Sequence, residues 1–256
     1  MPAFKLSKWY LDCVTDAGDT LIAYTGTAQW GKLRLNYSST LETVSNRIIE
    51  RHSIRPPLLP EITESMISWR SKALKVDGRW EALSSGMNQT IYRSAEGVIE
   101  WACRMPLARV RVGGKQGFGY AENLRMTIAP WTLPIHTLRW GRFTSSTDWV
   151  TWIDWQGDYS LRIVYLNGNL LQSSRIEDHK IEASDQMRLS MSRSLVLRDG
   201  DIGRTALSVV PGIQRVFPKQ LVEMVECKWR SWARLERTGK PSVEGWAIHE
   251  KVSWPQ

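Results

Sequence analysis

Two stretches of this 256-residue chain, one in each half, spell nearly the same strand, turn and strand. Ala108-Arg109-Val110-Arg111-Val112-Gly113-Gly114-Lys115 runs on to Gly119-Tyr120-Ala121-Glu122. Ala233-Arg234-Leu235-Glu236-Arg237-Thr238-Gly239-Lys240 runs on to Gly245-Trp246-Ala247, with Glu250 just beyond. Arg234 stands 125 residues after Arg109, close to half the chain. A second echo, 66–78 against 187–200, has an offset of 122. Two matches at nearly one offset predict a β-rich unit that occurs twice. Pro130 and Pro134 would stop strand ladders on either side of the link, so the expected domains are 1–130 and 131–256. Two such units side by side would leave a cavity at their seam, where binding sites tend to lie.

The rest of the pattern agrees with β-structure. Trp9 to Val14 reaches a turn at Asp16-Ala17-Gly18-Asp19, Thr20 to Thr25 resumes, and Gln29 to Tyr37 alternates apolar and polar residues. Asp77-Gly78, Gly113-Gly114, Asn167-Gly168 and Asp199-Gly200 read as turns. Pro106 is expected to split 97–112 into two strands. The one candidate helix, Leu41 to Arg51, is weakly patterned. Many short strands with little helix predict an all-β chain of two tandem antiparallel β-barrels related by the repeat.

Composition narrows the setting. The chain is 42% hydrophobic and 23% charged, which suits a globular protein rather than a disordered one. No apolar run approaches the roughly 20 residues of a membrane helix. The first residues carry no signal-peptide core, so a cytoplasmic location is expected. Cys13, Cys103 and Cys227 read as reduced, semi-buried thiols. The net charge of +8 favours anionic surfaces in general. Its basic residues are scattered, without an arm or basic helix, which argues against nucleic acid as partner. Fourteen tryptophans are unusual. Large aromatics suit both barrel interiors and the walls of apolar pockets.

The middle of the chain resembles a known family. Gly117-Phe118-Gly119-Tyr120-Ala121-Glu122, then Pro130-Trp131-x-Leu133-Pro134, then Leu138-Arg139-Trp140-Gly141-Arg142-Phe143, is similar to the central segment of the tandem lipocalin-like proteins. That group includes carotenoid 1,2-hydratase (hydroxyneurosporene synthase), the AttH-like proteins and, more distantly, tocopherol cyclase. The opening Lys8-Trp9-Tyr10-Leu11-Asp12 also looks like their first strand. The resemblance implies two calycin-type barrels around an apolar pocket. It also implies, for the members that are enzymes, hydration, cyclisation or isomerisation of isoprenoid or polyketide chains without a metal or organic cofactor.

Protonating an alkene requires a carboxyl group kept neutral among aromatic rings, and the cation formed is stabilised by their faces. Tyr10-Leu11-Asp12 and Trp152-Ile153-Asp154 place ring and carboxyl on one face of a strand. Asp154, beside Trp155 and near the central motif, is the first candidate acid, and Asp12 its expected counterpart in the other half. Glu122 is a third candidate, with Glu250 in a comparable place; pairing of these glutamates with Arg109 and Arg234 is the structural alternative. Arg142, in an expected turn, would orient a ligand carboxylate or a catalytic aspartate; a surface salt bridge is the structural alternative. Trp9, Tyr10, Tyr120, Trp140, Trp152, Trp155, Trp246 and the isolated His136 complete the candidate ligand-binding set, and His249 is a second isolated histidine. No Gly-x-Ser-x-Gly, Ser-x-x-Lys, Walker or metal-spaced His/Cys pattern occurs. The sequence thus supports a cofactor-independent lyase or isomerase acting on an apolar small molecule. The alternatives are a non-catalytic carrier of a hydrophobic molecule and a protein that binds anionic surfaces; the oligomeric state is open.

Overall fold

The computed structural model describes residues 3–172, 174–184, 186–205, 212 and 217–255. The chain divides into two compact units, Met1–Thr132 and Leu133–Gln256. Unit 1 contains β1 (Phe4–Val14), β2 (Thr20–Trp30), β3 (Leu33–Val44), β4 (Arg47–Ser53), β5 (Glu61–Ile62), β6 (Met66–Ser71), β7 (Val76–Ala82), β8 (Met87–Ser94), β9 (Gly97–Val112) and β10 (Lys115–Met126). Its sheet runs β4-β3-β2-β1-β10-β9-β7-β6-β5, with β8 also paired to β9. Unit 2 contains β11 (Thr137–Thr144), β12 (Trp149–Gln156), β13 (Leu161–Leu166), β14 (Asn169–Leu170), β15 (Ser174–Ile176), β16 (Lys180–Ala183), β17 (Met187–Asp201), β18 (Val225–Arg237) and β19 (Lys240–Ser253). The order is β14-β13-β12-β11-β19-β18-β17-β16-β15. Every strand pairing among the described residues is antiparallel, and both units follow one plan: a four-strand meander, the first strand paired with the last, and a return from the other edge. The chain is all-β, with only a single-turn helix at Lys219–Val222 and a 3-10 turn at Pro130–Thr132 among the described residues.

Strand register tests the two sequence echoes separately. Val112 in β9 pairs with Gly78 and with Lys115; its counterpart Arg237 in β18 pairs with Met187 and with Lys240. The first echo therefore matches equivalent strands. The second does not: the place equivalent to Gly78 is Met187, not Gly200. Asp77-Gly78 lies inside β7, and the turn before it is at 72–75, where Lys75 takes φ 57°. Gly78 is small for packing, since a Cβ there would stand 2.7 Å from the Trp80 ring and 2.8 Å from Val112. Asp199-Gly200 likewise falls within β17 rather than at a turn.

The repeated glycine has one cause in both units. A Cβ on Gly119 would meet the carbonyl oxygen of Asp12 at 2.0 Å, and one on Gly245 that of Thr144 at 2.3 Å. At both places the last strand crosses so close to the first that only glycine fits. By register, Leu11 pairs with Ala121 and Phe143 with Ala247. Asp12 therefore corresponds to Thr144, Tyr10 to Arg142 and Glu122 to Ile248. Asp154, in β12, is not the counterpart of Asp12, and Glu250 is not that of Glu122.

Each unit has its own core. In unit 1, Trp9, Leu11 and Cys13 of β1 pack with Trp69, Trp80, Met105, Val110 and Ala121. In unit 2, Phe143, Trp152, Leu189, Leu235 and Ala247 do the same. Alternation along a strand then sends the intervening residues to the opposite face. Two expectations fail here. The 41–51 stretch is no helix but the β3–β4 hairpin, turned by Ser45 (φ 51°) and Asn46 (φ 64°) with Val44 paired to Arg47. Pro106 does not split 97–112: β9 runs unbroken from Gly97 to Val112 with register shifts between its pairings to Gly119, Ala121 and Glu122.

Candidate functional site

The register shifts in β9 decide what shares the non-core face of unit 1. Ala121 pairs with Met105, and both are core residues; one step on, Glu122 pairs with Cys103, so Arg104 is an extra residue on β9. Such bulges re-aim side chains, and this one puts Trp101 and Cys103 on the face of Glu122. On β1, Tyr10 lies opposite Glu122 in register. Tyr10, Asp12, Trp101, Cys103, Tyr120 and Glu122 are all buried.

Two phenol–carboxylate pairs result. The Tyr10 hydroxyl donates to Asp12 Oδ2 at 2.8 Å, and the Tyr120 hydroxyl donates to Glu122 Oε2 at 2.7 Å. Glu122 Oε2 also accepts from the Trp101 indole N–H at 2.5 Å. Asp12 Oδ1 accepts from the Tyr120 backbone N–H at 3.1 Å, while the Asp12 carbonyl accepts from Trp80 Nε1 at 2.7 Å. These bonds tie the Asp12 carboxyl to the β10 backbone and the Glu122 carboxyl to the side chains of Tyr120 and Trp101, the fixed placement that proton transfer needs. The Tyr10 ring stands edge-on to Tyr24 and Tyr120, with centroids 5.2 and 6.0 Å away. Burial pushes the Tyr120 hydroxyl well above its ordinary range, and the neighbouring Cys103 and Glu122 add to it. Burial raises the Cys103 thiol well above its range too, against a hydrogen bond from Tyr120 that lowers it. Both groups therefore hold their protons at neutral pH. Trp101 and Asn123 also line a polar cavity of about 370 Å³ whose other walls include Gln89, Glu100, Arg104 and Arg125.

The equivalent face of unit 2 has a different chemistry. Arg142 is in strand β11, not a turn, and is fully buried; its Nη1 donates to Thr144 Oγ1 at 3.1 Å and to the Trp246 carbonyl at 2.9 Å. The Arg230 guanidinium sits 4.9 Å from the Trp246 ring centroid. Lys228 is buried between Glu226, at 2.7 Å, and Glu250. Burial alone would raise the Glu226 carboxyl, but the charges of Lys228 and Arg198 outweigh it and hold it well below its ordinary range. Glu250 thus pairs with Lys228, and Arg234 with Glu236 at 3.5 Å, rather than with each other.

Asp154 is buried, but its neighbours are cations. Its oxygens accept from Arg162 Nε at 2.9 Å and Gln156 Nε2 at 2.7 Å, with Arg139 Nη1 at 3.6 Å. That is an ion-pair hub beside the core residue Trp152. Trp9 is likewise a core residue, whereas Trp140 and Trp155 are buried outside the two core clusters. His136 is exposed and held through its backbone, by Gln156 and Trp254. His249 is not isolated: its ring stacks on Trp229 at 5.0 Å, lies 5.4 Å from His179, and Nε2 is 2.8 Å from Ser231 Oγ. Cys13 and Cys103 are fully rather than semi-buried; Cys227 is partly so, its thiol pushed up to about 11 by burial and by Asp199.

The sequence brought Tyr10, Asp12, Tyr120 and Glu122 into the candidate set. It missed Trp101 and Cys103 as their partners. Pro106 signals only the first register shift, between the pairings of Gly119 and Ala121; the second, at Arg104, which re-aims Trp101 and Cys103, is readable only from the pairing. Among the described residues no group of His, Cys, Asp and Glu side chains could hold a metal ion, and no helix is long and apolar enough to cross a membrane.

No family model matches the sequence, and no curated protein matches it by sequence. Solved structures do match in fold. An AttH-like protein from Nitrosomonas europaea aligns over 98% of this chain and 92% of its own, with a TM-score of 0.55 and 7% identity. CghA aligns over 98% and 88% at 0.56 and 9%, and its complex with Sch210972 over 98% and 89% at 0.55 and 7%. Kievitone hydratase from Nectria haematococca aligns over 98% and 89% at 0.50 and 11%. With the strand order above, these similarities show the two-domain lipocalin-like fold.

Proposed function

We propose that the Tyr10–Asp12 and Tyr120–Glu122 pairs of unit 1 form the proton-transfer site of a cofactor-independent lyase or isomerase, of hydratase or cyclase type, acting on an apolar isoprenoid- or polyketide-like molecule. The observation that carries this reading is the buried triad Tyr120–Glu122–Trp101, with Tyr10–Asp12 on the adjoining strand. Glu122 gives its proton to one carbon of a substrate double bond, and Tyr120, which keeps its own proton, positions the carboxyl. The cation at the other carbon faces the rings of Tyr10 and Tyr120. It ends either by adding water, whose surplus proton passes to the Glu122 carboxylate, or by losing a proton from a neighbouring carbon to the Asp12 carboxylate. The fold is shared with a protein named kievitone hydratase. The function moves here from Asp154 to Asp12 and Glu122, because Asp154 is enclosed by Arg162 and Arg139.

The test is deuterium transfer. The protein is incubated in D2O with a panel of terpenoid and polyketide alkenes, and products are read by mass spectrometry and NMR. A product carrying deuterium at one former alkene carbon is expected. Glu122→Gln should slow its formation by about 10²-fold or more, with circular dichroism unchanged. Glu122→Gln and Asp12→Asn both turning over at the parental rate would remove the assignment.

A further inference from the structure

One end of unit 1 has a surface that neither its core nor its proton-transfer face explains. Between β4 and β5 the chain runs Ile54-Arg55-Pro56-Pro57-Leu58-Leu59-Pro60 outside any strand. Leu58 and Leu59 are 69% and 58% exposed, the most exposed large hydrophobic side chains among the described residues, and Ile54 and Ile62 on either side are about half exposed. The segment is fixed in this display. Three prolines restrict its backbone, and the Leu58 carbonyl accepts a hydrogen bond from Nε1 of the core residue Trp69 at 2.7 Å.

The apolar tip has a cationic border. A cavity of about 800 Å³ opens beside it, lined among others by Arg55, Leu58, Trp69, Arg70, Lys72 and Lys75. Asp77 is the one carboxylate in that lining, and it is taken up by Arg70 at 3.1 Å. Arg55, Lys72 and Lys75 have no ion-pair partner among the described residues. Glu61 and Glu64 lie past the tip, on the β5 side, where Glu61 is bonded to Ser68. Two adjacent exposed leucines next to three unneutralised cations, on a chain of net charge +8, match the layering of a lipid interface: phosphate charge outside, hydrocarbon beneath.

We propose that this end of unit 1 docks on anionic lipid bilayers, with Leu58 and Leu59 entering the headgroup–acyl boundary and Arg55, Lys72 and Lys75 meeting lipid phosphates. Exposed leucines of this kind are costly in water and gain when a bilayer covers them. Cations near an anionic leaflet add attraction that salt screens. The proposal is independent of the chemistry assigned to Glu122 and is tested without any turnover.

The experiment is co-sedimentation of the full chain with 100-nm vesicles of phosphatidylcholine alone or with 30% phosphatidylglycerol. Binding to the anionic vesicles is expected, at least tenfold tighter than to phosphatidylcholine, and lowered several-fold by 0.5 M NaCl. Leu58→Ser with Leu59→Ser should weaken it tenfold or more, and so should Lys72→Glu with Lys75→Glu. These side chains are exposed, so both variants should keep the parental melting temperature. Leu170→Ser, which removes an exposed leucine of unit 2, should bind like the parent. Three results overturn the proposal: no sedimentation with anionic vesicles; sedimentation that the Leu58/Leu59 variant leaves intact, which marks a merely basic surface; and quenching of tryptophan fluorescence by monomeric dodecyl phosphate without vesicle binding, which marks a single-chain ligand.

Discussion

His249 shows how burial sets the behaviour of one side chain. Its imidazole is almost wholly out of water, and desolvation, helped by His179 and opposed by Asp178, lowers its pKa to about 3 from an ordinary 6.5. The folded state therefore keeps it neutral wherever the unfolded chain would protonate it. Between pH 6.5 and about 3 the unfolded state binds the extra proton, so stability falls as pH falls through that window. The slope is about 1.4 kcal/mol per pH unit, which makes the loss about 2 kcal/mol between pH 7 and pH 5. The depressed carboxyls, Glu226 from 4.5 and Asp148 and Asp178 from 3.8, lose their contributions only at lower pH. Urea unfolding at pH 7, 6 and 5 should thus show a steady decline that His249→Gln flattens; an unchanged slope in that variant would place the effect elsewhere. In the sequence His249 looks like an isolated polar residue. Its partners Ser231, Trp229 and His179 come from other strands and loops, and one-dimensional spacing cannot show them.

At the scale of elements, what the sequence revealed depended on why each glycine was there. Gly113-Gly114 and Asn167-Gly168 were legible as hairpin turns because their task is backbone conformation: φ is 56° and 80° in the first, 49° and 88° in the second. Gly78 was misread because its task is steric, under Trp80. The β3–β4 hairpin was missed altogether, since Ser45 and Asn46 make its turn without glycine. Both central φ values are positive, the pattern of a type I′ turn, which prefers Asn-Gly. Ser45→Asn with Asn46→Gly should therefore stabilise the chain by about 1 kcal/mol, read as a rise in melting temperature of about 2–4 °C. A fall would mean that Ser45 and Asn46 make other contacts worth more than the turn geometry. The candidate site was partly legible for the same reason that strands are: Tyr10-x-Asp12 and Tyr120-x-Glu122 use the two-residue period. Trp101 and Cys103 join them only through the bulge in β9, which has no fixed period to read.

Across the whole molecule, the repeat and the site diverge. Topology, the closure of the first strand on the last, and the close-approach glycines Gly119 and Gly245 are common to both units. The chemistry on the non-core face is not. Where unit 1 has Tyr10, Asp12, Tyr120 and Glu122, the matching positions of unit 2 hold Arg142, Thr144, Trp246 and Ile248. Shared features are those the fold requires, because a Cβ at either glycine would collide with backbone whatever the protein does. Features that differ are not needed to fold a unit of this kind, and that argues that the buried phenol–carboxylate pairs of unit 1 serve chemistry. The asymmetry makes a prediction that fold stability alone does not. Ile248→Val and Thr144→Ser, at the unit 2 counterparts of Glu122 and Asp12, should each cost no more than about 1.5 kcal/mol of stability and leave deuterium transfer within about twofold of the parent. Glu122→Gln and Asp12→Asn, equally small changes in volume at the unit 1 positions, should lose turnover by about 10²-fold. Equal losses from both pairs would instead mean that the assay reports general disruption of a two-unit scaffold. Equal retention would return the two carboxyls to a structural role, as hydrogen-bond acceptors that hold β1 and β10 in register.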